Sequence, residues 1–138
     1  KEVSGVALSC IMEGARPIIV EIQALCVKTS FGYAKRSCVG FDMNRLNMIL
    51  AVLQKYYSVD LSEQDVYVNV TGGLKIKDTA CDLAVMQALK ASYLKKSHKM
   101  DKVYIGEVCL TGEIKKPSFS DIRKAECQRL GFGISSLI

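Results

Sequence analysis

The sequence is poor in the residues that mark linkers and disordered segments. Only 2 of its 138 residues are proline, and no stretch is rich in proline or in glycine and serine, so we expect one continuous domain. No apolar run approaches the roughly 20 residues that cross a bilayer, which predicts no membrane partner. The first five residues lack both the apolar core of a signal peptide and an initiator methionine, so we expect a fragment of a longer protein.

Clustered metal ligands and nucleotide-binding loops are also missing. The six cysteines contain no CxxC pair, and His98 is the single histidine, so we predict no metal site. The cysteines lie mostly in apolar segments, where reduced thiols pack as small hydrophobic groups, and this favours a cytoplasmic protein. Neither GxGxxG nor a phosphate loop of the GxxxxGKS type occurs, so the sequence predicts no cofactor in this chain.

The composition is that of a single globular domain over residues 1–138. Hydrophobic residues make up 49% and charged residues 24% of the chain, which excludes intrinsic disorder. The formal net charge of +5 permits a nucleic-acid or other acidic partner and equally fits an ordinary globular surface.

Hydrophobic spacing predicts a mixed α/β (α+β) order rather than a doubly wound parallel sheet. One helix follows an Asp42 N-cap and ends near Tyr57, a second covers residues 82–94, and a third begins at a Ser120 cap. Gly72 and Gly73 form a turn. The predicted strands are residues 3–12, 18–28, 36–40, 65–70, 103–105 and 134–137, the first two forming an antiparallel hairpin, with a strand–turn stretch over 108–115.

Six motifs in a fixed order together resemble one family. They are MEGARP at 12–17, VEIQAL at 20–25, GFDMNRL at 40–46, DVYVNVTGG at 65–73, DLAV at 82–85 and GEVCLTGE at 106–113. The chain is similar, over essentially its whole length, to the C-terminal Lon-protease-like domain of the RadA (Sms) family of bacterial DNA-repair and recombination proteins.

The resemblance implies a ribosomal protein S5 domain 2-like fold and a longer parent protein. That parent would carry a zinc ribbon and a RecA-like ATPase core outside this chain, and these would hold zinc and ATP with magnesium. The family further implies a homo-oligomer, with a hexameric ring as the expected form, that acts as a scaffold and DNA-binding surface for an ATP-dependent branch-migration motor.

Lon-type peptidases use a serine–lysine dyad, and the resemblance places Ala80 at the serine position and Asp121 at the lysine position. Alanine has no hydroxyl, and aspartate carries the wrong charge for a base of this kind. We therefore expect no catalytic residues. The alternative is a peptidase with an unusual nucleophile, Thr79 or Cys81, served by Lys77 or Lys124 as the base.

Basic residues with interleaved aromatic residues are the candidate contacts to single-stranded or branched DNA. Phe31 and Tyr33 lie between Lys28 and Lys35, and cations neutralise phosphates while aromatic rings stack on bases. The alternative is that these charges only solvate one face. Arg45, just inside a helix, fits a structural role as well as it fits a DNA contact, and in the structural role it would pair with an acid across a subunit boundary. We expect His98 to be solvated. The predicted nucleic-acid-binding residues are Arg16, Lys28, Lys35 and Arg36.

Overall fold

The computed structural model describes residues 2–138, which form ten strands, three α-helices and two short 3-10 turns. The helices are α1 (Met43–Tyr57), α2 (Asp82–Leu94) and α3 (Ser120–Arg129). The strands are β1 (Glu2–Val3), β2 (Val6–Glu13), β3 (Arg16–Lys28), β4 (Arg36–Val39), β5 (Gln64–Val70), β6 (His98–Lys99), β7 (Lys102–Tyr104), β8 (Glu107–Val108), β9 (Ile114–Lys115) and β10 (Gly133–Ser135).

A mixed six-stranded sheet with the order β10-β7-β2-β3-β5-β4 forms the centre of the fold. β3 pairs antiparallel with β2 and with β5, whereas β4 runs parallel to β5 and β7 runs parallel to β2 and β10. Two short antiparallel ladders, β1–β6 and β8–β9, lie outside this sheet. The mixed α/β (α+β) prediction and the β2–β3 hairpin are therefore confirmed, while the S5-like fold name stays a prediction.

Helices cover the two faces of the sheet unequally. α1 and α2 pack on one face, and α2 is buried along most of its length against apolar side chains such as Val20, Ile22 and Val68. α3 packs on the opposite face through Cys127, against β2, β10 and the first part of β3, where Ile19 lies. The outer face of the second half of β3, of β5 and of β4 consequently stays open.

Local signals define α1 well. The Asp42 side chain accepts a hydrogen bond of 3.0 Å from the Arg45 amide, so the predicted N-cap is confirmed. The helix ends at Tyr57, and the C-cap residue Ser58 adopts a left-handed conformation with φ of 56°. The predicted ends of α1 and α2 agree with the structure.

Three predicted boundaries are wrong. The strand over residues 3–12 is interrupted, because Gly5 has φ of 76° and a Cβ there would lie 2.5 Å from the Ala24 carbonyl oxygen. Ser120 does not cap α3: the N-cap position belongs to Phe119, and the Ser120 hydroxyl donates to the Pro117 carbonyl at 2.6 Å. The last strand is Gly133–Ser135 instead of residues 134–137.

All six cysteines are free, as predicted, and Cys10, Cys81 and Cys127 are fully buried. Among residues 2–138, each helix is too short or too polar to cross a bilayer.

Candidate functional site

The turn before α2 holds the position that the resemblance assigns to a catalytic serine. Thr79–Cys81 form a single 3-10 turn that begins where the Asp78 side chain accepts from the Ala80 amide at 3.0 Å. The Ala80 carbonyl accepts from the Gly106 amide at 3.0 Å. Ala80 and Cys81 have no solvent exposure, so the turn belongs to the core and does not line a cleft.

Asp78 joins this turn to β2 and α3. Its Oδ2 accepts from the Met12 amide at 2.8 Å and from Nη1 of Arg123 at 2.6 Å. Arg123 is only 2% exposed, and its guanidinium also donates to the carbonyls of Cys10 and Ser118 at 2.8 and 2.9 Å. Burial alone raises the pKa of Asp78, but the guanidinium and two backbone amides outweigh it and hold the pKa below its usual value.

Asp82, the first residue of α2, forms a second buried ion pair. Its carboxylate accepts from Nε of Arg45 at 2.9 Å, from Nη2 of the same residue, and from the Val108 amide at 3.1 Å. Burial raises the pKa of Asp82, and the hydrogen bond to Asp82 raises the pKa of Arg45. Arg45 therefore pairs within its own chain, and the reading that placed its partner across a subunit boundary is wrong.

The residues named as substitute nucleophiles are poorly placed for catalysis. The Cys81 thiol is inaccessible, and burial, followed by the neighbouring Asp82 charge, raises its pKa, whereas a nucleophilic cysteine needs a thiolate. Thr79 is half-buried in the turn, while Lys77 and Lys124 are exposed. Asp121 is exposed near the start of α3. The structure thus disfavours Cys81 as a nucleophile.

The loop between β3 and β4, together with the strand residues at its two ends, carries three of the four predicted nucleic-acid contacts, and β5 anchors both of its ends. Asp65 accepts from the Lys35 amide at 2.8 Å and from the Thr29 hydroxyl at 3.0 Å. These hydrogen bonds, led by the Lys35 amide, lower the pKa of Asp65. Backbone bonds from Thr29 to Glu63 and from Val66 to Lys35 complete the anchor at 2.9 Å each.

The tip of this loop projects two aromatic rings into solvent. Phe31 is 90% exposed and Tyr33 is 96% exposed, with Gly32 between them at φ of 76°. Lys28 and Lys35, at the two ends of the loop, are exposed as well. We call residues 28–35 the basic–aromatic loop. Large rings this exposed contribute nothing to the core, so they are available to a ligand.

Arg36 and Arg16 are placed differently from the two lysines. The Arg36 guanidinium donates to the carbonyls of Lys35, Gln64 and Leu61, the last at 2.9 Å, so Arg36 holds the loop against β5. Arg16 lies at the opposite end of β3, a strand of 13 residues and so about 40 Å long. The structure brings Lys28, Lys35 and Arg36 together and leaves Arg16 apart.

An exposed apolar surface on the sheet was not predicted. Leu25 and Tyr67 are cross-strand neighbours, 54% and 39% exposed, and Val27 and Val39 lie beside them at 47% and 60%. The signal was present in the sequence, because Leu25 and Val27 are apolar residues on the side of β3 that carries Glu21 and Gln23. We call Leu25, Val27, Val39 and Tyr67 the outer sheet patch.

The prediction that His98 is solvated is wrong. His98 pairs with Val3 in the β1–β6 ladder, and its Nε2 atom is buried with no hydrogen-bond partner within the described part of the chain. A two-residue strand leaves too little sequence pattern to have revealed this pairing.

Comparison with known proteins identifies similar sequences. The chain is 41% identical over 132 residues to the DNA repair protein RadA of Campylobacter jejuni, a match that covers 96% of this chain and 29% of that protein. Identity is 43% with the RadA proteins of Helicobacter pylori and Listeria monocytogenes, over 93% and 94% of this chain. The chain thus spans less than a third of the length of these relatives. No protein-family model matches it.

We expect Asp78→Asn to lower the free energy of unfolding by about 3 kcal/mol at pH 7, because it leaves the buried Arg123 charge without its partner. Since folding lowers the pKa of Asp78, its stabilisation is present above the unfolded value of about 3.9 and is lost as pH falls through the lower, folded value. Urea unfolding between pH 7 and pH 2 should therefore show a shallower acid dependence in the variant.

Asp121→Asn, at an exposed position of α3, is the matched control and should change stability by less than about 0.5 kcal/mol. Equal effects of the two substitutions would contradict the assigned role of Asp78.

Proposed function

We propose, on the premise that this chain corresponds to one segment of the RadA family of bacterial DNA repair proteins, that it is a non-catalytic module that binds single-stranded DNA. Its relatives are named DNA repair proteins, which supports a role in repair. The observation that carries the proposal is the basic–aromatic loop, in which two rings and two lysines project together from an anchored base.

The chemistry of the loop suits unpaired bases. Exposed lysines neutralise backbone phosphates, and each aromatic ring offers a face on which a base stacks. In duplex DNA the base faces already stack on one another, so rings of this kind favour single-stranded segments. The anchoring of both loop ends by Asp65 keeps the entropy lost on binding low.

In the parent protein this module would act as a ring-forming scaffold in the cytoplasm. It would hold in position an ATP-dependent branch-migration motor. The RecA-like core of that motor would bind ATP with magnesium, and a zinc ribbon would lie elsewhere in the longer chain. The outer sheet patch supports the assembly role, because a charge-poor apolar surface is typical of the centre of a subunit interface.

A peptidase with an unusual nucleophile is the competing function. The buried thiol of Cys81 and the absence of a hydroxyl at Ala80 weigh against it. The resemblance alone supplies the assignment of Ala80 and Asp121 to the dyad positions.

Replacing the loop aromatic residues should weaken binding of a labelled oligo(dT) strand. Phe31→Ala or Tyr33→Ala should each raise the Kd about 5- to 150-fold, since stacking contributes ~1–3 kcal/mol per base. Phe31→Trp should preserve affinity, whereas Phe31→Leu, which keeps an apolar side chain without a ring, should not. Fluorescence anisotropy measures these values.

The lysines should govern the salt dependence of the same binding. Lys28→Ala combined with Lys35→Ala should reduce the slope of log K against log salt by about 1.4, because each phosphate contact on a single strand contributes about 0.7. Lys75→Ala, at an exposed lysine outside the loop, is the control and should leave Kd nearly unchanged. Unaltered binding in the aromatic and lysine variants would refute the loop as the DNA site.

The assembly role predicts that Val39→Lys in the outer sheet patch reduces self-association measured by sedimentation velocity, because a charge would be buried at the subunit contact. Leu110→Lys, at a residue 72% exposed on the β8–β9 turn, serves as the matched control and should assemble like the unaltered chain. A monomeric unaltered chain, or full assembly of the Val39→Lys variant, would show that this patch is not the contact.

The non-catalytic reading predicts that the chain releases no fragments from a labelled unfolded protein. Iodoacetamide should also fail to modify Cys81 until the chain is unfolded, because the thiol is buried and its pKa is raised. Cleavage that disappears in Cys81→Ala or Thr79→Ala would establish the peptidase instead.

A further inference from the structure

A groove of about 590 Å³ runs along the edge of the sheet opposite to the basic–aromatic loop. One wall is the segment that follows β9, the other is β10 with the residues after it, and α3 closes one side. Ile114, Ile134 and Leu137 supply apolar surface, and Lys115, Lys116 and Lys124 supply positive charge. Ile134 is 40% exposed and Leu137 is 68% exposed, so this apolar surface is open to a partner.

The groove is positively charged. No acidic residue lines it, and Arg123, which contributes to its floor, is paired with Asp78. The ion pairs formed within residues 2–138 all involve arginine, so none of the three groove lysines is neutralised by a direct pair. Glu107 lies opposite Lys115 in the β8–β9 ladder and offsets part of its charge, which leaves Lys116 and Lys124 as the stronger sites.

The main chain of β10 also faces the groove. The Gly133 amide donates to the Asp101 carbonyl at 3.0 Å, and the Ser135 carbonyl accepts from the Ile105 amide at 3.1 Å, so these two residues direct their main chain toward β7. Alternate residues of a strand point their main-chain groups to opposite edges. The amide and carbonyl of Ile134 therefore face the free edge of the sheet, where β10 is the terminal strand.

We propose that this groove binds an acidic peptide segment with alternating apolar side chains, which adds to β10 as a further strand. The peptide backbone would hydrogen-bond to Ile134, its apolar side chains would cover Ile114 and Leu137, and its carboxylates would lie against Lys116 and Lys124. Strand addition of this kind obtains affinity from the main chain and specificity from alternate side chains.

A peptide fits these features better than a nucleic acid does. A nucleic acid would satisfy the lysines but would leave the apolar floor and the free strand edge uncovered, and no aromatic side chain lines the groove for base stacking. The groove lies apart from the basic–aromatic loop, and among the residues discussed around the turn before α2 it includes Arg123, the partner of Asp78, and Lys124. β10 and β4 are opposite edges of the six-stranded sheet, about 24 Å apart, and neither Ala80 nor Asp121 lines the groove.

The test uses the full 138-residue chain and a fluorescein-labelled eight-residue peptide in which aspartate or glutamate alternates with valine or isoleucine. Anisotropy should show saturable binding. An eight-residue polyglutamate and a peptide with lysine in place of each acid should both bind at least about tenfold more weakly, because the first lacks apolar contacts and the second has the wrong charge.

Variants of the chain locate the site. Lys116→Glu and Lys124→Glu should each raise the Kd of the peptide about fivefold or more, while the control Lys75→Glu should not change it. Leu137→Ser should weaken binding through lost apolar contact. Two N-methylated peptides complete the test, one methylated at its odd-numbered amides and the other at its even-numbered amides. One of them should not bind and the other should bind normally, because only one edge of the added strand hydrogen-bonds to β10.

Several outcomes would overturn the proposal. An equal loss of affinity with both N-methylated peptides, or no loss with either, would exclude strand addition. Competition by oligo(dT) at equal charge would assign the groove to nucleic acid. Unchanged peptide affinity in Lys116→Glu and Lys124→Glu would place the binding elsewhere.

Discussion

The architecture depends on two ion pairs that hold the turn before α2 from both sides. Asp78 ties the turn to α3 through Arg123, and Asp82 ties the start of α2 to α1 through Arg45. Because Asp82 and Arg123 are fully or almost fully buried, each charge depends on its partner for solvation. The carboxylate of Asp82 also lies at the positive end of the α2 dipole, which favours it there. The result is a rigid centre whose polar groups are already engaged.

Because the polar groups of this centre are already paired, the surfaces open to partners lie at the periphery. At the centre, the position matched to a catalytic serine is a buried alanine, and the adjacent thiol is inaccessible. The two edges of the sheet differ in chemistry: one carries exposed rings beside lysines, and the other carries lysines around an apolar floor. An open apolar face lies beside the first edge. A scaffold that holds three distinct surfaces at fixed separations suits a module that organises partners.

Much of this fold is encoded locally and was accessible from sequence. The Asp42 cap, the ends of α2 and the β2–β3 hairpin follow from capping and hydrophobic spacing within a few residues. The clustering of Lys28 with Lys35 was also predictable, because both flank one short loop. What the sequence did not reveal depends on residues distant along the chain: Arg45 pairs with Asp82, 37 positions away, Arg36 donates to carbonyls of residues 61 and 64, and His98 pairs with Val3. Arg16 lies apart because β3 continues for 13 residues.

Hydrogen–deuterium exchange on the chain, with and without oligo(dT), tests the central claim. That claim is that the basic–aromatic loop binds DNA, whereas the turn before α2 is purely structural. The account predicts slower exchange at residues 30–36 and 62–65 when DNA is present. It predicts unchanged exchange at residues 78–82, where the amides of Ala80, Cys81 and Asp82 already donate hydrogen bonds within the turn. Protection centred on residues 78–82, with none in the basic–aromatic loop, would contradict it.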